Sequence, residues 1–421
     1  MEQPFSLRDA SKHRKMYQMK VSSSIFSVIA SILGVLQCSG VDWAEFRGPN
    51  GNPVHDGTLP LKWDSSGTEN VAWKASLPGR GVSSPIVVND LVVITASGGA
   101  NQQKLFVVAI DQQTGKQRWR RSFWATGRTY THPTSSNAAP TPVSDGEYIY
   151  AFYSSNDLAC LDLSGNLMWY RGLAHDYPKA GNDVGMASSP AIAGDVVVVQ
   201  IENQGDSFAS GIDRLSGEEL WRVPRDPRAN WSSPVAYKEA DGGYTVLLQS
   251  PSGLNAVDAK TGNERWTKDL SCGNITSPLK IDDAIYFGAG GTTKLQLNDK
   301  GTTPEVLWSA NRLTANAASP IVDGGNLYIL SGSIIKSADS NTGDLNWQVR
   351  LKGRFWATPI LSNGHLYFFN QDGLVQVVKV GEVGEVVSEF EIGEPVLGTP
   401  AAVGNNLFFR SDRHLWKISK P

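Results

Sequence analysis

A reactive site in this chain would have to be assembled from few of the usual side chains, since its 421 residues include only six His and three Cys. No Cys-x-x-Cys pair, His-Glu-x-x-His, Gly-x-Ser-x-Gly elbow or phosphate-cradling glycine loop occurs, so zinc chemistry, serine acyl transfer and nucleotide binding of those kinds lack a sequence basis. Of the histidines, His365 and His414 fall in regular turns of a repeat and read as surface residues. What the sequence does gather is polar side chains in long connections. Residues 124–141 hold Arg128, His132 and Asn137; 171–187 hold His175, Asp176, Tyr177 and Asp183; 202–208 hold Glu202 and Asp206; Arg225, Asn230 and Trp231 follow. Guanidinium, carboxylate and aromatic groups in such loops suit a sugar, a peptide or a partner protein. We take Asn137, His132, Asp176, Asp183, Arg225 and Trp231 as the candidate binding face, and assign no catalytic residue and no metal ligand. The competing reading is that these groups cap one another's loop backbones. Asp176, Asp183, Glu202 and Asp206 offer oxygen ligands, but not at EF-hand spacing, and Ca²⁺ needs six or more.

The elements that position these loops come from an internal repeat. A small or hydroxyl residue followed by Pro opens a β-rich run at Pro85, Pro142, Pro190, Pro234, Pro278, Pro320, Pro359 and Pro400, at spacings of 57, 48, 44, 44, 42, 39 and 41. Each Pro precedes a short apolar strand and a turn such as Asn89-Asp90, Asp145-Gly146 or Asn363-Gly364, and a second strand follows. The unit ends in Ala-x-Asp-x-x-Thr-Gly-x-x-x-Trp, as in Ala109 to Trp119 and Ala256 to Trp266, with variants ending at Trp169, Trp221, Trp308 and Trp347. Asp and Thr bond to backbone within the turn and Gly supplies the positive φ it requires. The indoles at Trp73, Trp119, Trp169, Trp221, Trp266, Trp308 and Trp347 then dock between units as structural residues.

Four strands in about 44 residues, written eight times, predict an all-β, eight-bladed β-propeller of four-stranded antiparallel blades. Trp73 belongs to a fourth strand with no preceding three, and the run from Pro400 to Ile418 supplies three strands with no fourth. The N-terminal strand should therefore complete the last blade and close the ring. The propeller is placed at 71–419 and an irregular segment packing on it at 41–70. Residues 1–40 read as a signal peptide, with Arg8, Lys12, Arg14, Lys15 and Lys20 before an apolar run and small residues after it. The alternative is a lipoprotein signal ending at Cys38.

Composition narrows the class. Charged residues are 19 % and hydrophobic residues 40 % of the chain, which excludes disorder and coiled coil. Beyond the leader, acidic residues outnumber basic ones, which argues against nucleic acid as a partner.

The repeat resembles the tryptophan-docking motif of the pyrroloquinoline-quinone (PQQ) propeller superfamily. That superfamily includes quinoprotein alcohol dehydrogenases and cofactor-free BamB-type scaffolds of outer-membrane assembly. The segment Trp43-Ala-Glu-Phe-Arg-Gly-Pro-Asn-Gly51 is also similar to secreted PQQ-like repeat proteins of planctomycete type. The dehydrogenases it resembles carry an adjacent Cys pair, a Ca²⁺ held by Glu and Asn and a catalytic Asp; this chain has no adjacent Cys pair. The reading is thus an exported, non-enzymatic binding or scaffold propeller of the cell envelope, with no cofactor. Its partner is an envelope protein or a peptide or glycan ligand, and the protein is a monomer rather than an integral membrane protein. A PQQ- and Ca²⁺-dependent oxidoreductase and a carbohydrate-binding or carbohydrate-acting propeller are the alternatives. The latter expects Trp124, Tyr130, Tyr177 and Trp231 to gather in one cleft beside carboxylates.

Overall fold

The computed structural model describes residues 43–66, 69–181, 183–298 and 303–420. The leader, and Cys38 of the lipoprotein alternative, lie outside the described residues. Each repeat folds as a four-stranded antiparallel sheet, and eight such blades are formed. Blade 1 runs Ile86–Val88, Leu91–Gly98, Lys104–Asp111 and Gln117–Trp124 from the channel outward. Its middle strands are buried because a neighbouring blade covers each face, whereas its outer strand is largely exposed. Blades 2 to 7 begin at Val143, Ala191, Val235, Leu279, Ile321 and Ile360. Blade 8 takes Ala401–Val403, Asn406–Arg410 and His414–Ser419 from the C-terminus, and its outer strand is Val71–Ser76, with Trp73 opposite Lys417.

Local turn chemistry sets the blade ends. In the turn after Asp111, one carboxylate oxygen accepts from the amide and the hydroxyl of Thr114, both at 2.8 Å. These bonds draw the Asp111 carboxyl down to about 2. Gly115 has φ 69, and a Cβ there would sit 2.7 Å from the Trp73 ring, so this glycine is required both by the turn and by the docked indole.

The docking follows one rule: an indole donates to the carbonyl just past the turn Asp of the next blade. Trp73 donates to Gln112 at 3.0 Å, Trp119 to Leu163 at 2.8 Å, Trp169 to Arg214 at 3.0 Å and Trp221 to Ala259 at 2.8 Å. Trp347 makes a similar bond in blade 7, which has no turn Asp, to the Gly381 carbonyl at 2.9 Å, and Trp266 is buried. Blade 5 departs from the rule. Trp308 Nε1 has no partner among the described residues, because the carbonyl it would use, that of Ser340, accepts Lys294 Nζ and Tyr286 Oη, each at 3.1 Å.

The N-terminal segment is more ordered than its sequence suggests. Trp43 exchanges two backbone bonds with Val87 of blade 1, and the Ala44 carbonyl accepts from Ser144 of blade 2. Arg47, fully buried, donates to the Pro278 carbonyl of blade 5 at 2.8 Å. The Asn52 amide makes two bonds to the Val322 backbone of blade 6. Val54–His55 then adds to blade 7 as a fifth, parallel, innermost strand, and His55 bonds the Gly404 carbonyl of blade 8. Trp63 ends the path, buried edge-on against Phe390 at 4.6 Å. The segment thus crosses one end of the channel.

Two local expectations change. Blade 7 has five strands rather than four. His414 is not a surface residue: it is half-buried, 2.7 Å from a carboxylate oxygen of Glu394.

Candidate functional site

Because the residue before a proline is held extended, its amide points sideways rather than into its own blade's ladder. In this chain that residue is a Ser or Thr in every blade. The Ser84 amide donates to Thr141 Oγ1 at 3.0 Å, that of Thr141 to Ser189 Oγ at 3.0 Å, and that of Ser189 to Ser233 Oγ at 2.9 Å. Ser233 continues to Ser277 at 2.9 Å, Ser277 to Ser319 at 3.0 Å, Ser319 to Thr358 at 3.1 Å and Thr358 to Thr399 at 3.0 Å. Eight buried hydroxyls therefore encircle the axis, and seven of them each accept one amide from the preceding blade. Ser84 Oγ has no partner among the described residues.

All eight line a cavity of about 320 Å³. Phe46 of the crossing segment also lines it. Its walls include Val82, Ala139, Val184, Ala187 and Leu397, and Ile275, Trp356, Trp231 and His132 belong to the loops around its mouth. The Trp231 indole is fixed by a 2.8 Å bond to the Gly185 carbonyl, and that of Trp356 by a 3.2 Å bond to Gln371. The Thr134 amide donates to His132 Nδ1 at 3.2 Å, which ties the ring to its own loop.

The six candidate residues do not form one surface. His132 and Trp231 line the cavity. Asn137 is buried, receives the Ser155 amide at 2.8 Å and donates to the Gln102 carbonyl. Arg225 is also buried: it pairs with Glu202 at 2.7 Å and donates to Asn255 at 2.6 Å. Burial pushes the Glu202 carboxyl up, and Arg225 opposes that push. Asp176, at the end of the short helix Leu173–Asp176, pairs with Arg171 at 2.6 Å and the loop residue Asp183 with Arg128 at 2.9 Å, both outside the cavity lining. The proposed aromatic cleft is not formed either. Of its four members only Trp231 lines the cavity, while Tyr177 packs edge-on against Phe208, and Trp124 and Tyr130 are exposed. Sequence reasoning missed Phe46, Ile275 and Trp356, and it saw the hydroxyl before each Pro without seeing that the eight converge.

The free thiols of Cys160 and Cys272 are buried, and burial raises both to about 12, which makes them poor nucleophiles.

The family model described as outer membrane protein assembly factor BamB matches residues 61–210, 205–335 and 302–387. The chain belongs to the BamB family. BamB of Burkholderia pseudomallei (strain K96243) is 24 % identical over 268 residues, which is 62 % of this chain and 63 % of that protein, so the chain spans less than two thirds of this relative. Among solved structures, BamB from Moraxella catarrhalis superposes with a TM-score of 0.61 at 15 % identity, over 83 % of this chain and 97 % of its own. Quinohemoprotein alcohol dehydrogenase from Comamonas testosteroni superposes at 0.65 with 12 % identity, over 91 % and 82 %. These likenesses are of fold.

The dehydrogenase likeness raises the question of whether this BamB-family channel fits PQQ. The residues lining the cavity include no carboxylate, no carboxamide and no Lys or Arg. Calcium requires several anionic or amide oxygens, and a polycarboxylate quinone requires cations or an equivalent donor set. The lining does not fit that pair. No group of three or more His, Cys, Asp or Glu positioned for a metal occurs among the described residues.

Proposed function

We propose that the chain is an exported binding or scaffold propeller of the bacterial cell envelope, BamB-like in docking a partner protein or peptide. The observation that carries this reading is the unequal use of the two ends of the ring. One end is crossed by the chain's own residues 43–55, whereas the other presents long connections with exposed aromatic and guanidinium groups. Trp124 and Tyr130 are 66 % and 61 % exposed, and Arg128 lies over the Tyr130 ring. Arg and large aromatics are the residue types that most often anchor interfaces. Family membership supports the reading, as does the order of basic, apolar and small residues in 1–40, which suits export with or without a lipid on Cys38. No described helix is long and apolar enough to cross a membrane. The acidic balance of the body disfavours nucleic acid, and the protein acts as a monomer.

The test is affinity purification from the native envelope with wild-type protein and the Trp124→Ala/Tyr130→Ala double variant. An envelope protein enriched by wild type and lost in the variant, at unchanged melting temperature, is the expected result. Equal recovery by both, or enrichment of no envelope protein, overturns the reading.

A further inference from the structure

We infer that the axial cavity is a binding site for the end of a neutral saccharide, separate from the loop surface proposed for protein docking and independent of it. The first ground is the state of the eight hydroxyls. Seven accept a backbone amide, yet none of the eight donates to any described residue, and Ser84 Oγ, 1 % exposed, neither donates nor accepts. A buried hydroxyl hydrogen without an acceptor carries a desolvation cost that a ligand oxygen relieves. Each hydroxyl also keeps a second lone pair, so the ring both gives and receives hydrogen bonds. Sugar hydroxyls do the same.

The second ground is charge. The lining holds no Asp, Glu, Lys or Arg, so an ion entering it would lose hydration with no carboxylate, ammonium or guanidinium group to replace it. The third is shape. A volume of about 320 Å³ is at the small end of ligand sites, which suits one or two rings rather than a folded segment. Phe46, Trp231 and Trp356 supply apolar aromatic surface for the C–H faces of those rings, with both indole N–H groups already committed to the protein. Ligand oxygens thus meet the hydroxyl ring while the ring faces meet aromatic surface.

The experiment is calorimetric titration of the intact exported chain. The probes are neutral mono- and disaccharides of gluco, galacto, manno and N-acetyl configuration, with gluconate, glucosamine and the uncharged peptide acetyl-Ala-Ala-amide as comparators. Ala317 also lines the cavity, so Ala317→Trp fills it from its wall without removing a side-chain hydrogen bond, and Trp356→Ala removes an exposed ring. At least one neutral sugar should bind with Kd on the order of 1 mM or tighter, Trp356→Ala should weaken it about ten-fold and Ala317→Trp should abolish it. The inference is overturned if no neutral sugar binds up to about 20 mM, if a charged sugar or the peptide binds more tightly, or if Ala317→Trp leaves affinity unchanged. Envelope pull-down reads a different surface, so either proposal can fail alone.

Discussion

The same eight inner strands end differently at the two mouths of the channel. At one mouth their backbone groups are met by residues 43–55, which contribute two bonds to Val87, two to Val322 and a short parallel strand on blade 7. At the other they are met by one another: in blades 2 to 8 a hydroxyl accepts the amide of the blade before it, and only the Ser84 hydroxyl of blade 1 is left without one. The first solution uses a unique segment and breaks the symmetry. The second uses only the repeat, and it leaves the axis open because a hydroxyl caps an amide without filling the space beyond it. A channel with one closed and one open mouth therefore needs no change in the repeat, only an added strap.

That contrast is broken most severely by removing the strap together with the closing strand. Deletion of 41–78 strips the floor of the cavity, uncovers the inner strand of blade 7 and exposes the His414–Ser419 edge. Loss of cooperative unfolding in calorimetry and aggregation in size-exclusion chromatography are expected. A deleted protein that stays monomeric with unchanged melting temperature would show that the strap is dispensable.

A smaller effect is expected at the closing strand, where the ring is joined by strands from opposite ends of the chain. Lys74, on that strand, pairs with Glu394 at 3.2 Å and lies 4.0 Å from the Trp416 ring centroid. Burial alone would raise the Glu394 carboxyl, but hydrogen bonds from Ser411, His414 and Lys74 outweigh it and bring the group down to about 2. A depressed carboxyl contributes stability that is fully present above its unfolded value of about 4.5 and is lost as pH falls towards 2. Its size is on the order of 3 kcal/mol. Because pH 3 still lies above the folded value, urea unfolding at pH 6 and pH 3 should show about 2 kcal/mol of that loss in wild type and much less in Glu394→Gln. An equal acid loss in both would place the sensitivity elsewhere.

The blades were legible because their instructions are local. Asp111, Thr114, Gly115 and Trp119 lie within nine residues, so turn, positive φ and docking ring are read together. The unmatched Trp73 strand was legible by subtraction. The strap was not, because its partners are remote: Asn52 meets Val322 and Val54 meets Leu361, and nothing in the local pattern selects them. The scatter of the six candidate residues has a related reason. Arg225 has the composition of an interface anchor, but Glu202, just past the Val196–Ile201 strand of blade 3, and Asn255, on the Gly253–Asp258 strand of blade 4, bury its side chain, and only their side-by-side placement reveals the pair. Lys294 shows the limit within the repeat itself: one long side chain takes the carbonyl that the Trp308 position is built to use.

The mildest test separates the two jobs of the hydroxyl ring. Thr141→Val keeps the shape of the side chain but removes the acceptor of the buried Ser84 amide, and an unpaired buried donor costs roughly 1–3 kcal/mol. Because Ser84 is at the junction of blades 1 and 8 and its own hydroxyl is unpartnered, the ring can adjust there, which places the expected loss near 1 kcal/mol. Thr141→Ser keeps the hydroxyl and should restore that stability in a urea titration. If Thr141→Val costs nothing while Thr141→Ser and wild type behave alike, the amide is served by water, and the hydroxyls of the open mouth are there for what enters the cavity rather than for holding blades together.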